Sequence, residues 1–223
     1  MRSPLGILML DTAFARPVGD AGNPDSWPFP VLIERVRRAY ARPVVQGSFA
    51  ANAPFKEAGQ RLVDRGAKAI ITTCGFLVRH QDALQASLPV PVLTSTLTQY
   101  RRLQSAMRSD RRLAILTIDA GAIDTSVRAA ADIDAGALVF SPAADSHFVS
   151  AILDGEDPLD VARAEAEWVE LARRCQAAHP EIGGWLFECA NMPPYSAAVQ
   201  RATGLPVYDA LALGRELHAG LQI

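Results

Sequence analysis

The chain reads as an α/β protein of two pseudo-symmetric parallel-sheet domains with an active site in the cleft between them. Three observations carry this expectation. Short apolar, β-branched runs alternate with longer stretches of helical period, the pattern of parallel sheets covered by helices. The runs fall into two sets of four, and the third run of each set ends at a cysteine, Cys74 or Cys189, 115 residues apart. The first runs of the two sets also match, GILMLDT against LAILTID, starting 107 residues apart.

The elements follow in chain order. The opening MRSPLGILML carries one arginine and no signal-like cleavage site before DTAFARPVGD, so GILMLD (6–11) reads as a first strand rather than a leader. The stretch PVGDAGNPDSWPFP (17–30) is a loop by its Gly, Pro, Asp and Asn content, long enough for a lid anchored by Trp27 and Phe29. A helix is expected over Val31–Arg42, a second strand at PVVQGS (43–48), and a helix over Phe55–Arg65. AKAIITT (67–73) and PVPVLTS (89–95) complete the first set. After a helix over Leu97–Met107 and the turn SDRR (109–112), the second set runs RLAILTI (112–118), ALVFS (137–141), GGWLFE (183–188) and LPVYD (205–209). The longest helix, near Pro158–Ala178, opens with a proline whose missing N–H costs nothing there. The two domains are assigned as 1–97 plus 206–223, and 98–205.

Composition narrows the function. With 49% hydrophobic and 21% charged residues the chain is an ordinary globular one. A net charge of −2 and scattered arginine pairs argue against a nucleic-acid partner, which needs a basic stripe. No apolar run approaches the roughly 18–20 residues of a membrane span. Three cysteines without framework spacing, and no CxxC or histidine pair, point to free thiols in the cytoplasm and to no metal site.

The chemistry is expected at the carboxyl ends of the strands, where Cys74, Cys189, Asp11, Ser95, Thr117 and Asp209 fall. Asn191 is a helix-cap candidate and Pro193–Pro194 suit a first turn. A thiol near such a helix start has its pKa lowered from about 8.5. Two opposed thiols suit proton transfer: one takes a proton from a carbon while the other delivers one to the opposite face. Backbone N–H groups at Gly75–Phe76 and Ala190–Asn191 could stabilise the carbanion. No Gly-rich phosphate loop occurs, so no cofactor is expected. Glu188, next to Cys189, is expected to point to the other side of its strand. Cys175 shares a helix face with Trp168 and Leu171 and reads as a core residue.

The pair TTCGFL (72–77) and ECANMPPY (188–195), with LDT near the start, resembles the aspartate/glutamate (Asp/Glu/hydantoin) racemase superfamily across essentially the whole chain. That resemblance implies a cofactor-independent enzyme with Cys74 and Cys189 as the acid–base pair. Asp11 and Thr12 would orient the substrate and tune Cys74. Thr73, Gly75, Phe76, Thr117, Asp119, Ala190 and Asn191 complete the expected substrate contacts, although Thr12 and Thr117 also suit ordinary turn hydroxyls and Asp119 a helix cap. Gly75–Phe76 and Ala190–Asn191 stand where glutamate-type members carry Asn-Thr and Thr-His, and the apolar Phe76 implies a substrate with some apolar character or a narrowed pocket. The expected activity is racemisation of aspartate, glutamate or a hydantoin. A maleate-type cis–trans isomerase, an arylmalonate-type decarboxylase and a non-catalytic small-acid binding protein are the alternatives. A small carboxylic or amino acid is the expected partner, and a homodimer is possible.

Overall fold

Two four-stranded parallel sheets carry the chain, and each has the same strand order, second–first–third–fourth. The computed structural model describes residues 3–155 and 158–221. The first sheet contains β1 (Leu5–Met9), β2 (Val31–Arg35), β3 (Ala69–Thr72) and β4 (Val92–Leu93). The second contains β5 (Arg112–Leu116), β6 (Leu138–Phe140), β7 (Ile182–Phe187) and β8 (Val207–Tyr208). The helices in order are α1 (Ala41–Val45), α2 (Asn52–Asp64), α3 (Gln81–Ser87), α4 (Tyr100–Ala106), α5 (Thr125–Ala130), α6 (His147–Val149), α7 (Val161–Ala178), α8 (Ser196–Thr203) and α9 (Ala210–Gly220).

The central strands are buried on both faces, which is why they read as continuous apolar runs rather than alternating ones. Leu5, Ile7, Leu8, Ala69 and Ile70 have no exposed surface, nor do Leu113 to Leu116. The internal repeat extends to register: Leu8 pairs with Thr72 across β1 and β3, and Leu116 with Phe187 across β5 and β7. In each half the next N–H along, Thr73 or Glu188, donates to the carbonyl of Leu8 or Leu116.

Between 31 and 48 the structure reverses the expected order. Val31–Arg35 is a strand paired with β1, and Ala41–Val45 is a helix. VLIERVRR carries enough apolar spacing for either period, and pairing with β1 decides it. Arg38 turns the chain with a left-handed φ of 62°. Pro43 then falls in the first turn of α1, whereas within a strand it would remove a ladder bond.

The end of the chain divides between the halves. β8 hydrogen-bonds to β7, so it stays in the second sheet, while α9 returns to pack Ala210 and Leu211 with Ala69, Ile71 and Trp27. Loop 17–30 is packed down rather than free: Asp20 and Ala21 are fully buried, and the indole N–H of Trp27 donates to the Ala21 carbonyl at 3.0 Å. Trp27 lies against Gly214 of α9, not against the cleft. Arg79 ties the halves together, donating to the carbonyls of Val45 and Ala122 and to Ser126 Oγ. Cys175 is buried on α7 with Trp168 and Leu171. Among the described residues no helix is long and apolar enough to cross a membrane.

Candidate active site

β3 and β7 are the third strands of their halves, and each stops just short of a cysteine. Beyond Cys74 the backbone turns into a 3-10 segment, Gly75–His80, that leads into α3; beyond Cys189 another, Pro193–Tyr195, leads into α8. Both thiols thus sit at the carboxyl ends of the sheets, where the halves face each other, and they line one cavity. Thr12, Arg16, Thr73, Phe76, Glu188 and Asn191 line it as well, and Leu10 and Ile118 add apolar wall. The cavity is narrow, at about 20 Å³, room for a water rather than a substrate. Ala41 and Val45 of α1 meet Ile152 and Leu153 across its mouth, and an Arg42–Asp154 ion pair bridges the two sides. Outside lies a vestibule of about 350 Å³ lined by Asp11, Phe14 and Tyr40.

The expected site residues separate into groups. Thr12, Thr73, Phe76 and Asn191 join Cys74 and Cys189 at the cavity. Asp11 faces the vestibule, where its carboxylate accepts the Arg38 N–H at 2.8 Å and pairs with Arg35. Asp119 caps its own turn, accepting the N–H groups of Gly121 and Ala122. Gly75 and Ala190 line a second, smaller void. Thr117 is fully buried and donates its hydroxyl to Glu188 Oε2 at 2.9 Å.

Three residues at the site were not among those expected. Arg16 is nearly buried; it donates to Thr12 Oγ1 and to Asp20 Oδ1, both at 2.9 Å, and stacks on Phe14. It is the only lysine or arginine lining the cavity among the described residues. Asp20 accepts the side-chain N–H of Asn191 at 2.7 Å, which fixes the amide so that its oxygen receives the Cys189 S–H at 3.2 Å. Glu188 was expected on the far side of its strand. The strand ends at Phe187, so alternation no longer governs it, and its side chain enters the same cavity as the thiols. It lies so close to Gly75 that a Cβ there would meet Oε1 at 2.3 Å, which explains the glycine after Cys74.

Electrostatics also differ from the expected helix-start effect. Burial first, and the Glu188 carboxylate second, push both thiols well up from the ordinary cysteine value. The environments nonetheless differ. The N–H groups of Phe76 and Leu77 and the charge of Arg79 favour an anion on Cys74; on Cys189 the N–H of Asn191 favours one, while Cys74 and the Asp20 carboxylate oppose it.

Burial also raises the Glu188 carboxyl from 4.5 to about 7, against hydrogen bonds from Thr117 and from the N–H groups of Ile118 and Gly75. A folded-state value above the unfolded one means that the folded protein holds a proton the unfolded chain has released between these pH values. The stability this group contributes is therefore complete below pH 4.5 and is lost by about pH 7, on the order of 3 kcal/mol at 1.36 kcal/mol per unit. Chemical denaturation at pH 5 and 8 should show the wild type losing more stability than Glu188→Gln over that interval. Parallel pH dependence in the two proteins would contradict the assignment.

No family model matches the chain. Among solved structures, a glycine-to-cysteine mutant of arylmalonate decarboxylase superposes with a TM-score of 0.66 at 19% identity, covering 97% of this chain and 94% of that one. A glutamate racemase from Bacillus anthracis gives 0.62 at 18%, covering 99% and 82%. An aspartate racemase from Picrophilus torridus gives 0.55 at 12%, covering 98% and 94%. The chain shares its fold with this decarboxylase and these racemases.

Curated relatives narrow this class. A dimethylsulfoniopropionate lyase from Durusdinium sp. clade D is 32% identical over 215 residues, 93% of this chain and 71% of its own. Dimethylsulfoniopropionate lyases 3 and 7 from Emiliania huxleyi are 27% and 26% identical, covering 97% and 93% of this chain. The chain belongs to the dimethylsulfoniopropionate lyase family. It spans only 59% and 64% of the length of those two Emiliania huxleyi relatives. The expected racemase activity, and with it the isomerase class, is overturned: these relatives are lyases. The motif residues that carried the resemblance surround the thiols, and a thiol that handles a proton does not fix what the resulting carbanion does next.

Proposed function

We propose that the chain cleaves dimethylsulfoniopropionate into dimethyl sulfide and acrylate by β-elimination. The observation that carries this reading is 32% identity to a lyase named for that substrate, along an alignment that covers 93% of the chain and so spans both cavity thiols. The substrate has a carboxylate at one end and a sulfonium two carbons away. Arg16, already oriented by Asp20 and Thr12, receives the carboxylate. Cys74 as thiolate takes a proton from the adjacent carbon; the C–H electron pair becomes the double bond, and the C–S bond breaks toward sulfur. The leaving group departs as a neutral sulfide, so the elimination discharges a cation inside a buried site.

Cys74 is the base because two N–H groups and Arg79 favour its anion, while the hydrogen of Cys189 is committed to Asn191. The raised thiol pKa fits a substrate-triggered base: a sulfonium cation brought into the low-dielectric cavity draws the thiol toward its anion. The face of Phe76 offers that cation favourable surroundings. Supplying the purified protein with dimethylsulfoniopropionate and sampling the headspace by gas chromatography tests the proposal. Dimethyl sulfide should appear, and the neutral thioether analogue, lacking the cation and the leaving group, should stay intact. A protein that releases no dimethyl sulfide, or cleaves both compounds equally, does not perform this chemistry.

A further inference from the structure

The elimination leaves a proton on the enzyme. Acrylate departs as an anion and dimethyl sulfide as a neutral molecule, so each turnover strands on Cys74 the hydrogen taken from carbon, in a cavity about 20 Å³ in size with thiols only 5% exposed. That hydrogen must leave the thiol when the next sulfonium draws Cys74 toward its anion, and neither product carries it.

Glu188 occupies the place where such a route would run. Glu188 lines both the thiol cavity and a second void of about 10 Å³, close to the lower limit for holding one water. The second void carries the polar residues Thr94, Ser95 and Thr96. Its apolar rim, Leu93 and Leu213, also borders an open groove between β4 and α9. Glu188 is the one residue, among the described residues, that lines both spaces.

The internal repeat supplies an independent argument. In the first half the residue before the cysteine is Thr73, and its hydroxyl accepts the Leu10 N–H at 3.1 Å. In the second half Glu188 accepts the N–H of Ile118, the corresponding position after β5. A neutral hydroxyl therefore suffices to fasten this corner of the fold. A buried carboxylate exceeds that requirement, and its desolvation opposes folding.

We infer that Glu188 is the proton exit of this site: as the next sulfonium draws Cys74 toward its anion, Glu188 accepts the thiol proton and passes it through the second void to the groove outside. In that step the S–H bond breaks, its electron pair stays on sulfur, and an O–H bond forms on Glu188; the proton then leaves to water, so the cycle releases one proton per substrate. This rests on the lyase reading above. The charged and titratable groups around Glu188 are Cys74, Cys189 and Arg79, with Arg16 in the lining of the same cavity, and the Thr117 hydroxyl and the N–H groups of Gly75 and Ile118 hydrogen-bond its carboxyl.

Two measurements decide it. Infrared difference spectra of the ligand-free wild type between pH 6 and 8 should show a protonated carboxyl band titrating near neutrality and absent from Glu188→Gln. The kcat of Glu188→Gln for dimethylsulfoniopropionate should fall about 10²-fold or more, within the range of a lost acid–base group. The acidic limb of its pH profile should vanish while KM changes less than threefold. A variant that keeps both wild-type kcat and the acidic limb overturns the inference, as does a wild type with no titrating band. The infrared titration needs no substrate, so it judges Glu188 even if the wild type yields no dimethyl sulfide; that outcome removes the lyase reading and the exit route together.

Discussion

Replacing Cys74 with alanine is expected to lower dimethyl sulfide release by about 10²–10⁴-fold, the range for loss of a positioned acid–base group. Cys189→Ala should cost substantially less, because elimination needs one base and the Cys189 hydrogen is held by Asn191 rather than aimed at a substrate. The comparison is informative because the two residues are equally buried, at 5% exposure each, so differential damage to the fold is a poor explanation of a large difference in rate. The reverse order of effects would move the base to Cys189. Equal, complete loss in both variants would restore a role for two thiols.

The second large effect is expected at Arg16. Exchange for glutamine removes the only cationic side chain lining the cavity among the described residues. A lost hydrogen bond to a charged group is worth about 1.5–3 kcal/mol, so KM should rise roughly 10- to 150-fold. Arg16→Lys keeps the charge but not the fork that grips Thr12 and Asp20 together, and should recover only part of this. Exchange also leaves Asp20 buried without its ion pair, so stability falls too. Initial rates against substrate concentration, taken well below the unfolding temperature, separate the two consequences. A variant with wild-type KM would show that the carboxylate binds elsewhere.

The parallel sheets were legible because their central strands are buried on both faces and so appear as unbroken apolar runs. The internal repeat was legible because matching strands deliver a cysteine at matching offsets. The exchange of strand and helix between 31 and 48 was not, since VLIERVRR fits both periods and only the β1 edge chooses between them. At the site, the thiols stood out by chemistry and position. Arg16 and Asp20 lie in a stretch whose turn composition masks them, and their role emerges only when Asp20 meets Asn191 from a distant part of the chain. Glu188 was set aside on strand alternation, a rule that stops one residue before it. Gly75, taken as a departure in the substrate pocket, is small because the Glu188 carboxylate fills the space its side chain would need. The reaction itself was the least legible feature. Residues that position a proton-transferring thiol are common to inversion and elimination, and the difference lies in whether the substrate carries a leaving group.

Proton NMR of dimethylsulfoniopropionate incubated with the protein in D₂O tests the central claim most directly. The expected result is acrylate and dimethyl sulfide growing in equal amounts, with both slowed by about 10²-fold or more when Cys74 is replaced by alanine. Deuterium appearing at the carbon next to the carboxylate without acrylate would contradict it, because the thiol would then be moving protons without expelling the sulfide.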